Sequence, residues 1–382
     1  MATIIFGTYM VRYPLAGSLS SKLQWIVGFQ RLGHDVYVVE KSGGANACYD
    51  PVRRMVSDDC SHGIAVTRDL LRRFDLGEKW CFVDAAGHYH GMPQRTVRDV
   101  FAAADVYIDY GAHGLWRDED AAAATRVYLD GEPGFRQMKM AISGADAGDM
   151  NNFDHYFTVG RNVGTERSTI PTAGRLWKHA WSPVVVELFA AIPAPPPNGP
   201  FTTIMNWQSH GRLAYQGTTY GQKDAEFPKF IELPGLVDAA MEVAVSGSVP
   251  RAELARFGWR VSRAQAATSS YDAFVDYIAR SAGEFSVCKN VFVATNSGWF
   301  SDRSAAYLAS GRPVVLQETG FSEHLPCGEG LFAVRDADEA ADAMAQIAAE
   351  PGRHADAARK IALGHLDARV VLTRLLDEIG VS

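Results

Sequence analysis

Short runs of β-branched and aromatic residues alternate with amphipathic segments along the 382 residues, and a proline-rich segment divides them into two sets. Residues 191–200, AIPAPPPNGP, hold five prolines, which can extend neither a helix nor a central strand. Strands that alternate with helices predict parallel sheets covered by helices. The sequence therefore predicts an α/β protein with one domain at 1–190, a connector at 191–200, a second domain at 201–365, and a final helix at 366–382 placed to cross back to the first domain.

The charge of the chain indicates which partners to expect, and its cysteine content indicates which compartment to expect. The formal net charge of -7 leaves no excess of Lys and Arg to displace counterions, so we expect neither a nucleic acid nor an anionic membrane as the main partner. The five cysteines are odd in number and form no C-x-x-C pair, which suits a reducing cytoplasm. No secretory leader and no apolar run of membrane-spanning length is visible. We therefore expect a cytoplasmic protein, with a peripheral membrane contact and the oligomeric state left open.

The segment 291–323 predicts a strand, a glycine-containing turn, a helix and a second strand. We expect the first strand at Val291–Ala294, because the run is β-branched and aromatic. The helix is predicted to begin at a cap, Ser301 or Asp302, and to end at Gly311, before a strand at 313–316.

This unit is suited to binding phosphate. A helix that begins at the carboxyl edge of a parallel sheet presents unpaired backbone N–H groups and the positive end of its dipole. Gly298, Ser301 and Arg303 are therefore the predicted diphosphate ligands, against the alternative of a structural turn with a surface arginine. Lys223, in the glycine-bearing loop 206–226, is a second phosphate candidate, and an ordinary solvated lysine is equally compatible with the sequence.

The same segment resembles the donor-binding core of the GT-B glycosyltransferases. Positions that match the family's helix and strand motif are Ala309, Gly311, Pro313, Val314 and Val315. The resemblance implies two Rossmann-like domains facing a cleft, a UDP- or dTDP-sugar donor held by the carboxyl-terminal domain, and no catalytic metal or other cofactor. It also implies that Gln317 and Glu318 bind sugar hydroxyls and that the segment at Arg260 and Val261 recognises the base. The family's helix carboxylate falls on Ala306, so a ribose contact must come from elsewhere.

The amino-terminal half opens with a strand, a loop, a helix and a second strand, like the first unit of a GT-B acceptor domain. A nicotinamide-binding domain is the rival interpretation, with Glu40 placed to accept a hydrogen bond from a ribose. The loop GTYMVRYPLAG lacks the G-x-G-x-x-G spacing of a tight phosphate turn, which favours the acceptor domain.

His113 is the predicted general base or acceptor-orienting group, and Asp109 is placed to orient it. A histidine bonded only to loop backbone is the alternative. Inverting transfer requires a base and retaining enzymes of this class commonly lack one, so the stereochemical outcome is open.

Metal-binding patterns are weak. His88 and His90 alternate along a predicted strand, but two ligands without a third do not make a site. The D-x-D spellings at Asp118–Asp120 and Asp336–Asp338 each precede an alanine-rich stretch, which favours capping acids over metal ligands.

Together these features predict a transferase that moves a sugar from a nucleoside diphosphate to a small-molecule acceptor such as a secondary metabolite. The preference for such an acceptor rests on aromatic residues in the amino-terminal loops: Tyr9, Tyr13, Tyr110, Trp116 and Trp177. The alternatives are a polysaccharide or cell-envelope glycosyltransferase, a sugar-nucleotide epimerase, and a catalytically silent nucleotide-binding protein.

Overall fold

The computed structural model describes residues 1–113, 116, 119, 122–144, 152–209 and 211–381, and in these ranges the chain forms two large sheets. The strands up to residue 179 are β1 (Thr3–Gly7), β2 (Asp35–Lys41), β3 (Cys48–Asp50), β4 (Met55–Ser57), β5 (Trp80–Val83), β6 (Tyr89–Gly91), β7 (Val106–Tyr110), β8 (Thr125–Asp130), β9 (His155–Thr158) and β10 (Trp177–His179). The first sheet has the order β10-β9-β8-β7-β1-β2-β5-β6, in which only the β5–β6 pair is antiparallel. Strands β3 and β4 form a separate hairpin.

The helices of this half are α1 (Ala16–Arg31), α2 (Ser61–Arg72), α3 (Gln94–Ala103) and α4 (Phe135–Ser143). Helix α1 is covered on nearly every side, and Trp25 and Phe29 are completely buried in it. A helix that is buried all round lies inside the protein rather than on its surface.

The second sheet is parallel throughout. Its half of the chain contains β11 (Phe201–Asn206), β12 (Leu213–Tyr215), β13 (Thr218–Tyr220), β14 (Met241–Ser246), β15 (Arg260–Arg263), β16 (Gly283–Ser286), β17 (Val314–Gln317) and β18 (Leu331–Val334). The order β15-β14-β11-β16-β17-β18 is that of a doubly wound sheet, with its reversal between β11 and β16. The first sheet reverses in the same way between β1 and β7. Ligands of such sheets bind outside the carboxyl ends of the strands at the reversal.

The helices of the second half are α5 (Lys223–Glu226), α6 (Arg251–Arg256), α7 (Ala264–Thr268), α8 (Tyr271–Ala279), α9 (Asn290–Ala294), α10 (Asp302–Ala309), α11 (Ala337–Ala349), α12 (Pro351–Ile361) and α13 (Ala368–Glu378). Helix α13 packs on α1 of the first half, where a Cβ at Gly28 would lie 2.5 Å from Leu372 Cδ1. A wide turn at Ala362–Leu366 separates α13 from α12, and Asp367 caps α13.

The predicted strand at Val291–Ala294 is also wrong, because these residues lie in helix α9. The place between β11 and β17 is taken by β16, a strand that contains the charged Glu284 and shows no apolar alternation. Val291 and Phe292 instead pack against Phe135 and Met138 of the first half. Tertiary packing here outweighs the β-propensity of a short apolar run.

Cys48 and Cys60 form a disulfide, which departs from the expectation of unpaired thiols. The β3–β4 hairpin returns the chain so that the two Cα atoms lie 5.3 Å apart, a proximity that a spacing of 12 residues does not reveal. Within the described ranges, no helix is both long and apolar enough to cross a membrane.

Candidate active site

The turn around Gly298 joins the two halves of the chain. The backbone N–H of Asn162 donates to Ser297 O (3.0 Å), and the N–H of Arg161 donates to Gly298 O (3.3 Å). Gly298 has φ +71°, and a Cβ there would lie 2.8 Å from Asn162 N. Its own N–H donates to Thr319 O (2.6 Å), so this group is used inside the protein. Gly298 thus permits two backbones to touch at the border of the cleft.

Ser301 caps α10, as the sequence predicts: its Oγ accepts from Ser304 N (3.4 Å), and the residue is buried. The aromatic ring of Phe300 fills the space beside this cap against Trp181 and Phe321. The Ser301 hydroxyl therefore already has a partner in the helix that it starts.

Arg303 lies in the first turn of α10, beneath the carboxyl ends of β11 and β16. Its Nε forms an ion pair with the completely buried Glu284 (2.5 Å). Its two terminal nitrogens donate to Ile204 O (2.6 Å) and Ser286 Oγ (2.5 Å). The guanidinium is held in one position at the reversal of the second sheet, with these donors directed at protein groups.

Lys223, at the start of α5, is buried beside this arginine. Burial, with the nearby Arg303 charge as a second cause, lowers the pKa of Lys223 to about 7. Among the residues that the structure describes, its ammonium makes no hydrogen bond and no ion pair. An uncompensated buried cation is costly unless an anion joins it.

The side chain of the preceding residue, Gln222, also lacks a hydrogen-bond partner among the described residues. It is 2 % exposed, and neither its amide nitrogen nor its amide oxygen has a hydrogen-bond partner in the described part of the chain. Buried amides are nearly always hydrogen-bonded, so Gln222 and Lys223 together indicate a place prepared for a polar, anionic group. Sequence reasoning missed Gln222, since a lone glutamine in a loop has no pattern.

The other residues predicted to bind the nucleotide-sugar donor differ in how near they lie to Gln222 and Lys223. Gln317 ends β17, accepts from Cys288 N (3.0 Å) and donates to Glu226 (2.5 Å), so its amide ties two loops together. Glu318 accepts the N–H groups of the next two residues through one oxygen. Arg260 and Val261 open the edge strand β15 at its amino end, and the residue at the carboxyl end is Arg263. The structure thus brings Gln317 and Lys223 to one edge and leaves Arg260 and Val261 away from it.

His113 follows β7 at the carboxyl edge of the first sheet. Burial, with Arg12 next in importance, lowers the pKa of His113 to about 2, so the ring is neutral throughout the physiological range. Asp109 Oδ1 accepts from the backbone N–H of His113 (2.9 Å), which fixes the loop. The imidazole lies against Tyr9, with ring centroids 4.4 Å apart.

The carboxyl edges of the two sheets lie close to one another. Lys289 Nζ contacts Glu132 Oε1 across the cleft (2.6 Å). Tyr110 is partly buried at the end of β7; burial, with Asp302 at the start of α10 as a further cause, raises the pKa of Tyr110. His113 and Lys223 therefore belong to loops that border the same cleft.

Glu40, the residue on which the nicotinamide alternative depended, is used within the first loop. It accepts from the N–H groups of Met10 (2.8 Å) and Val11 (2.7 Å) and pairs with Arg12 (2.9 Å). These bonds organise the β1–α1 loop and occupy the carboxylate that a ribose would require.

The metal alternatives gain no support. His88 and His90 both contact Asp84, at 3.2 and 3.0 Å. In the described ranges, no three His, Cys, Asp or Glu side chains come together so that they could hold a metal ion. Asp336 caps α11 by accepting from Glu339 N (2.9 Å), which confirms the capping prediction. Asp118 and Asp120 of the other D-x-D spelling lie outside the described residues.

Solved structures resemble the chain over almost its whole length. A sucrose-phosphate synthase from Thermosynechococcus elongatus is 11% identical with a TM-score of 0.51, covering 98% of each chain. HepE from Anabaena, in complex with UDP and glucose, is 12% identical with a TM-score of 0.56 and 99% coverage of both chains. AviGT4, a glycosyltransferase of avilamycin A biosynthesis, is 14% identical with a TM-score of 0.55, covering 99% of this chain and 97% of its own.

No protein-family model matches the chain, and a search of curated proteins returns no match. At these low identities the likeness establishes the architecture alone. The chain has the GT-B fold, in which two Rossmann-like domains face a cleft.

Proposed function

We propose that the chain is a glycosyltransferase that takes a hexosyl group from a nucleoside-diphosphate sugar. The observation that carries this proposal is the buried pair Gln222 and Lys223, whose side chains have no hydrogen-bond or ion-pair partner among the described residues at the carboxyl edge of a doubly wound sheet. A diphosphate would supply the missing negative charge and acceptors there.

The chemistry of transfer favours the same place. When the bond between the anomeric carbon and the donor phosphate breaks, negative charge develops on the departing diphosphate. A fixed cation aimed at that charge lowers the barrier. Lys223 is the group for this role, and Arg303, locked by Glu284, supplies a second positive charge at short range. Gly298 and Ser301 contribute by shaping the turn and the helix start, since their own polar groups are already used.

The proposed donor is a UDP-sugar. HepE and an α-glucosyltransferase among the similar structures contain UDP. Within this chain, Glu318, which lies beside Gln317 after β17, is proposed to bind a sugar hydroxyl. Arg263 replaces Arg260 and Val261 as the candidate next to the base, because it stands at the carboxyl end of β15.

His113 is proposed to orient the acceptor rather than to remove its proton. A ring with a pKa of about 2 is a weak proton acceptor at neutral pH but still a good hydrogen-bond partner. Tyr9 and Tyr13 on the same border suit a small acceptor with a flat or apolar surface.

The decisive experiment incubates the protein with UDP-glucose and dTDP-glucose and follows the products. Slow release of the nucleoside diphosphate supports a transferase, since water can replace the acceptor. Interconversion of the sugar nucleotide supports the epimerase alternative, and binding without turnover supports a silent module. If no sugar nucleotide or nucleoside diphosphate binds, the proposal is wrong.

A further inference from the structure

A second place with uncompensated positive charge lies at the reversal of the first sheet, between β1 and β7. Lys22 of α1 is 4 % exposed, and its Nζ lies 4.3 Å from the ring centroid of Tyr9 and 4.9 Å from that of Tyr110. In the described ranges its hydrogen bond is to Ser18 Oγ (3.2 Å), and no carboxylate pairs with it.

Arg136, in the first turn of α4, is the second cation of this cluster. Its Nη2 donates to Gly111 O (2.7 Å), a neutral carbonyl in the loop that precedes His113. Among the described residues, no carboxylate forms an ion pair with its guanidinium. Lys22 and His113 both contact the ring of Tyr9, and Arg136 binds the loop that leads to His113, so the three side chains border one region. The positive charges of Arg136 and Lys22 also contribute to the lowered pKa of His113.

The carboxylates near this region each have other partners. Arg12 pairs with Glu40 (2.9 Å), and Lys289 pairs with Glu132 (2.6 Å). Among the described contacts, Asp109 accepts hydrogen bonds from Tyr107 OH and His113 N, and Asp130 accepts them from Gln137 Nε2, Thr158 Oγ1 and Glu132 N. Within the described part of the chain, the positive charges of Lys22 and Arg136 are therefore not matched by an ion pair.

We propose that Lys22, Arg136 and His113 form a subsite for an anionic group, phosphate or carboxylate, carried by the acceptor. Lys22 and Arg136 supply charge-assisted hydrogen bonds, and the neutral imidazole of His113 supplies a further donor or acceptor. The aromatic rings of Tyr9 and Tyr13 border the same region and contact the body of the acceptor.

This assignment rests on the proposed function, since it takes the amino-terminal side of the cleft as the acceptor side. The donor diphosphate has its own cation, Lys223, at the equivalent reversal of the second sheet. In the described ranges, each sheet thus has at its reversal a buried lysine without a carboxylate partner, as two anionic groups on two substrates would require.

The test saturates the protein with UDP, so that the donor site is filled, and titrates inorganic phosphate or acetate by calorimetry at constant ionic strength. We expect an anion to bind the wild-type complex at least about tenfold more tightly than it binds the K22M and R136M complexes. The matched controls are K79M, which removes an exposed lysine paired with Asp35, and R73M, which removes an exposed arginine paired with Asp272; both should bind as the wild type does. Methionine preserves the buried methylene chain, and thermal unfolding verifies that each variant is folded.

Tighter binding of phosphate than of acetate supports a phosphorylated acceptor, and the reverse order supports a carboxylated one. The proposal is overturned if neither anion binds the UDP complex, or if K22M binds no more weakly than K79M. The proposal is also overturned if K22M weakens the binding of UDP itself about tenfold, because the cluster would then bind the donor. Failure of UDP to bind the wild type contradicts the proposed function instead, and the anion titration of the free protein still tests the cluster.

Discussion

The guanidinium of Arg303 and the carboxylate of Glu284 form an ion pair at the carboxyl edge of the second sheet, with the glutamate side chain completely buried. The sequence predicts Arg303 as a phosphate ligand on a helix start. The structure directs its donors to Glu284, Ile204 O and Ser286, and the neighbouring Lys223 has no side-chain partner among the residues that the structure describes. The arginine therefore acts first as a fixed charge within the protein.

Glu284→Gln should destabilise the protein, because it leaves the Arg303 charge buried without its counter-charge. We expect a loss of about 3–5 kcal/mol in the free energy of unfolding, measured by urea denaturation. The matched control is Asp272→Asn, which breaks an exposed pair with Arg73 and should cost less than about 1 kcal/mol. Equal effects of the two substitutions would contradict the assignment of a buried pair.

Lys223→Met should weaken UDP binding by about 10- to 100-fold, the value of one charge-assisted hydrogen bond, measured by calorimetry. The same substitution should raise the free energy of unfolding by about 1–3 kcal/mol, since it removes an unpaired buried charge. Lys360→Met, which removes an exposed lysine of α12, should change neither quantity appreciably. A stable variant that binds UDP normally would remove Lys223 from the donor site.

The affinity for UDP-glucose should fall as the pH rises above about 7. The ammonium of Lys223 has a pKa of about 7 in the free protein and is needed in its charged form, whereas the diphosphate diester keeps its charge. A bound anion raises this pKa, so the affinity decreases by up to about tenfold per pH unit until the pKa of the complex is reached. Calorimetry between pH 6.5 and 9 measures this affinity. The affinity of K223M should not change with pH, and an affinity of the wild type that did not change with pH would contradict the prediction.

Gly298→Ala should weaken the contact between the two halves. The residue has φ +71°, and the added methyl group would lie 2.8 Å from Asn162 N, so we expect a loss of about 1–3 kcal/mol in the free energy of unfolding. Because the two halves would then separate more easily, small-angle X-ray scattering should show a larger radius of gyration for the variant than for the wild type. Gly17→Ala is the control, because a Cβ at that helical position meets no atom within 4 Å. If Gly298→Ala changed neither the free energy of unfolding nor the radius of gyration, the close approach of the two backbones would not be required.

His113 should remain neutral between pH 5 and 8, because burial and the nearby Arg12 lower its pKa to about 2. The measurement is the ring carbon and nitrogen chemical shifts of labelled histidine, with the signal assigned through His113→Gln. We expect no titration of this signal in the free protein. A midpoint near pH 6 or 7 would restore the general-base interpretation, in which loss of the ring costs about 10²- to 10⁴-fold in rate.

Much of the architecture could be predicted from local pattern. The helix from its Ser301 cap to Gly311, the strand after Pro313 and the individual strands β1, β2, β7 and β8 follow from capping, glycine stops and β-branched runs. The strand β16 could not be predicted, because its burial of Glu284 depends on Arg303, which is 19 residues away. The prediction of a strand at 291–294 was wrong because its apolar residues pack against α4 instead of lying in a sheet.

The sequence by itself determined the alternation of strands and helices and the proline-rich break, because these depend on residues that are neighbours along the chain. Only the tertiary structure decided which charges are paired. Among the residues described, Arg303 and Glu40 have partners of opposite charge, and Lys223 and Lys22 do not. Whether a buried charge is satisfied depends on atoms brought together by the fold, so a lysine at a functional site and a lysine in an ion pair look the same in a sequence.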